Sequence, residues 1–378
     1  MTTTAATNLD QLRVDFTGSL LRPARLQTLA VQYARGEASA EALRAMQDEC
    51  IREVIAKQEA HQMPVVSDGE FRRANFQDSF GQAVSGFDAT PSTWEPKPFY
   101  DGQTPFRRVE SGPSGNGPAI VYRRPVTERL QLVRNVPLEE YRFASQVATR
   151  PVKVTLVGPD RVSQRFEWES SRDVYAGLDE FVADVVAIQR QMLQELVAAG
   201  CRYVQLDEPG FTAYVDGPSL AKMRARGEDP DANLARSIAA CNAVLADLGD
   251  ATTAVHICRG NQTGGWHREG AYDAIAERLF GSLSCKRFLL EYDSERAGGF
   301  EPLRFVPKGK VVVLGLITTK LSELESVDHL LRRIEEASRY LPVEQLALSP
   351  QCGFGHFPED VQWRKLDRML ETAARVWG

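Results

Sequence analysis

The sequence predicts an α/β fold, a (β/α)8 TIM barrel with an insertion between its second and third strands. Three observations carry that prediction. Eight short runs read as strands, and most are apolar along their whole length, as strands buried on both faces of a parallel sheet are. Helical periodicity fills most of the gaps between them, giving the alternation of a βα fold. The alternative, a doubly wound open sheet, would carry a glycine fingerprint after its first strand, and "TGSLLRP" supplies none.

The eight runs are "VDFTGS" (14–19), "PVVSDG" (64–69), "VKVTLVG" (152–158), "YVQLDE" (203–208), "TAVHIC" (253–258), "FLLEYD" (288–293), "VVVLGLIT" (311–318) and "QLALSP" (345–350). A helix is expected over 39–61, where Ser39 is a candidate N-cap, and another over 178–200, where Gly200 is the stop signal. The segment from Ser219 to Gly249 breaks near Asp229–Pro230 and resumes as a second helix. Further helices are expected over 321–341 and 358–377, and the connection after the sixth strand is short and irregular. Residues 86–148 depart from the pattern. They are rich in Pro, Gly and aromatics and too long for a minimal barrel connection. They read as an insertion in a single catalytic domain spanning 1–378. A small hairpin and a helix near 138–148 would make it a lid or a dimer arm, which leaves a homo-oligomer open.

A chain of 378 residues with 43% hydrophobic composition can bury a large core. A net charge of −6 argues against a nucleic-acid partner, because a phosphate backbone calls for a basic face. No apolar run approaches the roughly 18–20 residues that span a bilayer. The opening "MTTTAATNLDQLRVDF" lacks the basic start and apolar block of a signal peptide. A cytoplasmic protein with no membrane partner is therefore expected. Cysteines at 50, 201, 241, 258, 285 and 352 are too sparse for a disulfide scaffold. Cys50, Cys201, Cys241 and Cys285 fall on helices or connections and read as core packing.

Barrel enzymes carry their chemistry at the C-terminal ends of the strands. Polar residues gather there in this chain: Ser19, then Asp68 and Glu70, then Asp207 and Glu208, then His256 and Cys258, then Glu291 and Asp293. "SPQCGFGHF", with Cys352 and His356, follows the eighth run. Residues two apart on a strand face the same side, about 6.5–7 Å apart, so His256 and Cys258 can converge on one point. Imidazole nitrogen and thiolate sulfur are donors that Zn²⁺ prefers. Glu291 and Cys352 can complete a tetrahedral set. A lone His-x-Cys in a strand is most often packing, and a Cys/His nucleophile pair could use the same residues. The sequence has no C-x-x-C pair for a zinc ribbon and no G-x-S-x-G elbow for a serine hydrolase. His61 and His329 read as surface or capping residues, while His267 and His356 stay open. Asp207-Glu208-Pro209 could cap the next helix. Buried carboxylates are costly without a cation, however, and substrate binding is the favoured reading.

Several segments together resemble the catalytic barrel of the cobalamin-independent methionine synthases: "FTGSLLRP", "VVSDGEFRRANFQDSFG", "VQLDEPGF", "VHICRGN", "LLEYDSERAG", "VVVLGLITTK" and "LSPQCGFG". The likeness covers most of residues 14–378 and is greatest to the short, single-barrel members, a group that includes the epoxyalkane:coenzyme M transferases. The resemblance implies zinc ligands His256, Cys258, Glu291 and Cys352. It places Ser19, Glu70 and Asp207 on the amino-acid part of homocysteine, two carboxylates suiting its ammonium. The implied reaction is transfer of a methyl group to the homocysteine thiol, forming methionine, with a small-molecule thiol and a methyl donor as partners, the donor a folate or a donor protein.

Three departures from the full-length enzymes bear on the donor. The chain lacks their N-terminal barrel. Arg259 follows "HIC". The seventh run ends "GLITTK" without the histidine those enzymes carry there. Arg259 and Lys320 could hold an anionic group such as a carboxylate, sulfonate or folate tail. Coenzyme M opening an epoxide is the first rival reading. A metal-free barrel lyase and a non-catalytic zinc or thiol binder are the others.

Overall fold

Short polar residues and prolines set where the helices begin. Ser39 follows α1 (Ala24–Ala34) and opens α2 (Ala40–Ala60), its Oγ accepting from the Ala42 N–H at 3.2 Å. β1 (Val84–Phe87), β2 (Thr93–Pro96), β3 (Ile120–Arg123) and β4 (Val126–Leu132) form two antiparallel pairs, β1 with β4 and β2 with β3. Asn135 then caps α3 (Val136–Val147) through the Leu138 N–H, with Pro137 in the first turn. The expected hairpin is thus a nested pair of ribbons starting at Val84, and the expected helix starts two residues early. The computed structural model describes residues 8–73, 79–87, 93–96, 120–123, 125–164, 166–261, 265–354 and 358–378; of 93–96 and 120–123 it describes the backbone alone.

From here strands and helices alternate. The order is β5 (Lys153–Val157), α4 (Pro159–Ser163), α5 (Leu178–Ala198), β6 (Tyr203–Asp207), α6 (Gly217–Ala225), α7 (Pro230–Leu245), β7 (Thr252–Ile257), α8 (Ala276–Ser282), β8 (Arg287–Glu291), β9 (Val311–Ile317), α9 (Val327–Ser338), β10 (Leu346–Pro350) and α10 (Glu359–Trp377). Asp229 caps α7 ahead of Pro230, which is the expected break. Gly200, past the end of α5, has φ +107°, a value that suits a residue without Cβ. Two 3₁₀ turns, Glu295–Ala297 and Glu301–Phe305, fill the irregular link between β8 and β9.

β5 to β10 form one parallel sheet in which every strand pairs with its neighbours in sequence. Every residue of these six strands is buried, which is why they lack alternation. The first two runs do not form full strands. Val14 bridges Leu348 at one edge of the sheet and Val66 bridges Val152 at the other. Left-handed residues end both runs, Gly18 at φ +108° in one, Gly69 at +70° and Glu70 at +62° in the other. Side-chain and loop bonds join them instead, Ser67 Oγ donating to Gly18 O at 2.6 Å and Leu20 N to Gly69 O at 3.3 Å.

Charge is buried at the start of the strands. Lys153 of β5 donates to Asp15 Oδ1 at 2.7 Å, and Arg287 of β8 donates to Asp15 Oδ2 at 3.2 Å. Tyr203 of β6 also donates to Asp15. Two cations and a hydroxyl therefore compensate one fully buried carboxylate. The β5 and β6 ends are interlocked. Glu208 accepts from Asp160 N at 2.9 Å and Arg161 N at 3.1 Å, capping α4. A Cβ on Gly158 would lie 2.2 Å from Glu208 Cδ, and one on Gly210 would lie 2.2 Å from Asp160 Oδ2. Each glycine leaves room for the other strand's carboxylate.

Candidate metal centre

His256 is on β7 and Cys258 follows its last residue, while Cys352 follows β10. His256 and Cys258 are buried, and Cys352 is partly open. One donor atom from each lies within 4.8 Å of the others, the largest donor group of this kind among the described residues. The Cys352 and Cys258 sulfurs are 3.5 Å apart. Two sulfurs on one tetrahedral zinc lie about 3.8 Å apart, from Zn–S bonds near 2.3 Å. One nitrogen and two sulfurs at this spacing fit zinc.

Asp207, at the end of β6, stands opposite His256 in register, its Oδ1 3.0 Å from His256 Nδ1. Gln205 Nε2 donates to the same oxygen at 2.6 Å. With its proton on Nδ1, His256 presents Nε2 as a ligand. Without metal the three donors share protons. The hydrogen bond from Cys352, then the charge of His256, hold the Cys258 thiol well below its ordinary range, against burial. The same bond and burial push Cys352 well above it. Burial opposes a charged His256, but Cys258 and Asp207 outweigh it and raise the imidazole to about 10.

Glu291 ends β8 and is fully buried, but its oxygens have other partners. Oε2 accepts from Arg259 N at 2.6 Å and Oε1 from Arg296 Nε at 2.7 Å. Burial disfavours its charge, yet Lys320, Arg296 and Arg259 hold it down to about 2. It is not one of the three grouped donors, although its field reaches both sulfurs.

The expected substrate residues lie close by and are already paired. Ser19 Oγ donates to Glu70 Oε2 at 2.7 Å, Thr155 Oγ1 donates to Glu70 Oε1 at 2.6 Å, and Arg73 is 3.2 Å from that oxygen. Ser19 packs against Gly353, where a Cβ would come within 2.7 Å of the Ser19 Cβ. Arg259 is 1% exposed and turned from the centre. Its guanidinium donates to Gly270 O and, at 3.2 Å, to Tyr272 Oη, over whose ring it lies at 4.5 Å. Lys320 Nζ has no hydrogen-bond partner among the described residues. Arg296, which fixes Glu291 and Asp293, escaped the sequence reading because it sits in the irregular link after β8. His61 pairs with Asp367 and stacks on Trp363, and His329 is exposed. His267 packs over Gly260, and His356 lies outside the described residues.

The family model for the catalytic domain of cobalamin-independent synthases matches residues 118–375. The uncharacterized protein YxjG of Bacillus subtilis is 36% identical over 97% of this chain and 94% of its own length. The chain belongs to that synthase family. A methionine synthase of Pyrococcus abyssi, also similar, is 25% identical over 85% of this chain and 80% of that protein. Among solved structures, a putative vitamin-B12 independent methionine synthase from Listeria monocytogenes superposes with a TM-score of 0.73 at 26% identity, covering 97% of this chain and 98% of that one. A B12-independent methionine synthase from a Shewanella strain, in complex with selenomethionine, shares the fold at a TM-score of 0.71 and 21% identity, covering 97% and 98%. No helix among the described residues is long and apolar enough to cross a membrane.

Proposed function

We propose that this synthase-family chain is a zinc-dependent thiol methyltransferase that converts homocysteine to methionine on a closed (β/α)8 barrel. The observation that carries the reading is the convergence of His256, Cys258 and Cys352 on one point at the C-terminal end of the parallel sheet. These three would hold the ion, with Glu291 as the fourth donor. A zinc ion held there supplies Lewis-acid chemistry that makes a bound thiol a nucleophile at neutral pH.

The remaining work falls to side chains. Asp207 fixes the tautomer and plane of His256. Arg296 and the Arg259 N–H hold Glu291 ionised beside the sulfurs. Gly353 keeps Ser19 against the strand that delivers Cys352, so Ser19 and Glu70 form one wall of the substrate site. In the transfer, the thiol gives up its proton and its sulfur bonds the methyl carbon as the donor's bond to that carbon breaks; the demethylated donor leaves with that electron pair and takes up a proton.

The test is product formation by the zinc-loaded chain from homocysteine with methyl donors, run beside coenzyme M with an epoxide. Methionine formation that Cys258→Ala abolishes supports the proposal. Alkylation of coenzyme M alone would replace homocysteine as substrate. Turnover without zinc would remove the metal from the account.

A further inference from the structure

β9 delivers Thr319 and Lys320 to the end of the sheet that holds Cys258 and Cys352. Lys320 is 7% exposed, and its Nζ is buried with no hydrogen-bond partner among the described residues. The charge of Glu291 acts on this ammonium, but a buried N–H donor without an acceptor is still costly. The other cations around the centre are committed, Arg259 to Gly270 and Tyr272, and Arg296 to Glu291 and Asp293. Lys320 is also held in place. Its neighbour Thr319 accepts through Oγ1 from Asn261 Nδ2 at 2.8 Å and from Gln351 Nε2 at 2.7 Å. These bonds tie together the loops after β7, β9 and β10. They leave Asn261 Oδ1 and Gln351 Oε1 without hydrogen-bond partners among the described residues as well.

The acids expected to meet a substrate ammonium are in the opposite condition. Glu70 is shared by Ser19, Thr155 and Arg73, and Asp207 by Gln205 and His256. Lys320 Nζ is therefore a donor that no acceptor among the described residues uses, although the field of Glu291 balances part of its charge. It sits close enough to the centre for its field to reach Glu291 and Cys352.

We infer that Lys320 binds the acidic group of the thiol substrate, a carboxylate or sulfonate a few bonds from the sulfur, and so sets which thiols the centre accepts. The inference rests on the proposal that a thiol enters at Cys258 and Cys352. Of the two cations expected to hold an anionic group, Arg259 and Lys320, it assigns that role to Lys320. A charge-assisted hydrogen bond formed on binding offsets the cost of keeping the ammonium dry in the empty protein.

The test is calorimetric titration of the zinc-loaded chain with homocysteine, 3-mercaptopropionate, coenzyme M and cysteamine, the last having no acidic group. Lys320→Met should weaken the acidic thiols by about 10- to 100-fold and leave cysteamine unchanged, with Lys320→Arg recovering part of the loss. Thermal melting of the unliganded proteins gives a second readout. Lys320→Met should stay folded, because it breaks no hydrogen bond and Arg296 and the Arg259 N–H still hold Glu291. A lower melting temperature with equal weakening of all four thiols would make Lys320 a structural residue and overturn the inference. Unchanged thiol binding with a raised KM for the methyl donor would move the acidic group to the donor and also overturn it. If wild type binds none of the four thiols, the thiol-transfer reading fails first and this inference falls with it.

Discussion

Asp207 and His256 face each other on adjacent parallel strands, with Asp207 Oδ1 3.0 Å from His256 Nδ1. On the proposed function, this pairing makes a strand histidine a metal ligand of fixed tautomer. Asp207, expected to meet a substrate amine, is engaged through this oxygen by His256 and Gln205.

Asp207→Asn should therefore lower zinc affinity by about 10- to 100-fold while the chain stays folded. Competition against a chelator of known affinity measures it. Affinity equal to wild type would mean that Asp207 does not orient His256.

Zinc binding should release protons. At pH 7 His256, at about 10, and Cys352, held well above its ordinary range, both carry a proton, whereas Cys258 is ionised. Ligation removes one proton from each of the first two, so about two should leave per ion, and apparent affinity should rise with pH through neutrality. Calorimetry in buffers of different ionisation enthalpy counts them. A count near zero would contradict this protonation pattern.

Asp68 gives a pH signature away from the metal. Burial, then the charge of Glu140, raise it from 3.8 to about 7 against the pull of Arg73. An acid whose folded value lies above its unfolded one favours folding with the proton on. Its ionisation costs stability as pH rises from about 4 to about 7. Asp68→Asn keeps an acceptor for the Glu70 N–H and cannot ionise. It should match wild type at pH 4 and melt several degrees higher at pH 8, on the order of 2–4 °C per kcal/mol. An equal melting shift at both pH values would rule out ionisation as the cause.

The interlock of β5 and β6 should resist small additions. Gly158→Ala and Gly210→Ala each force a carboxylate to move and should cost about 1–3 kcal/mol by denaturant titration. Gly281→Ala, in α8 with nothing within 4 Å of its Cβ, is the control and should be neutral or stabilising. Equal effects at all three positions would mean that the contacts at Gly158 and Gly210 do not matter.

The alternating core was legible because burial on both faces writes itself as apolar runs. β5 to β10 lie where those runs are, and Asp229–Pro230 marks a real helix start. The first two runs were over-read as strands, since β-branched composition does not reveal the left-handed turns at Gly18, Gly69 and Glu70. α1 went unread because it packs so little of itself into the core, Leu26 being its one buried residue. At the centre, His256, Cys258 and Cys352 were legible from residue type and position at strand ends. Arg259 was expected to hold an anionic group, and its partners Gly270 and Tyr272, more than ten residues on, are contacts that no local pattern encodes. Glu208, for which substrate binding was favoured over capping the helix after β6, caps α4, a contact between loops that no local pattern encodes.

X-ray absorption at the zinc edge tests the central claim most directly. The account predicts one zinc per chain with two sulfur neighbours near 2.3 Å, one fewer in Cys258→Ala, and three when homocysteine is added to wild type. A chain that holds no stoichiometric zinc, or a sulfur count that neither Cys258→Ala nor homocysteine changes, would contradict it.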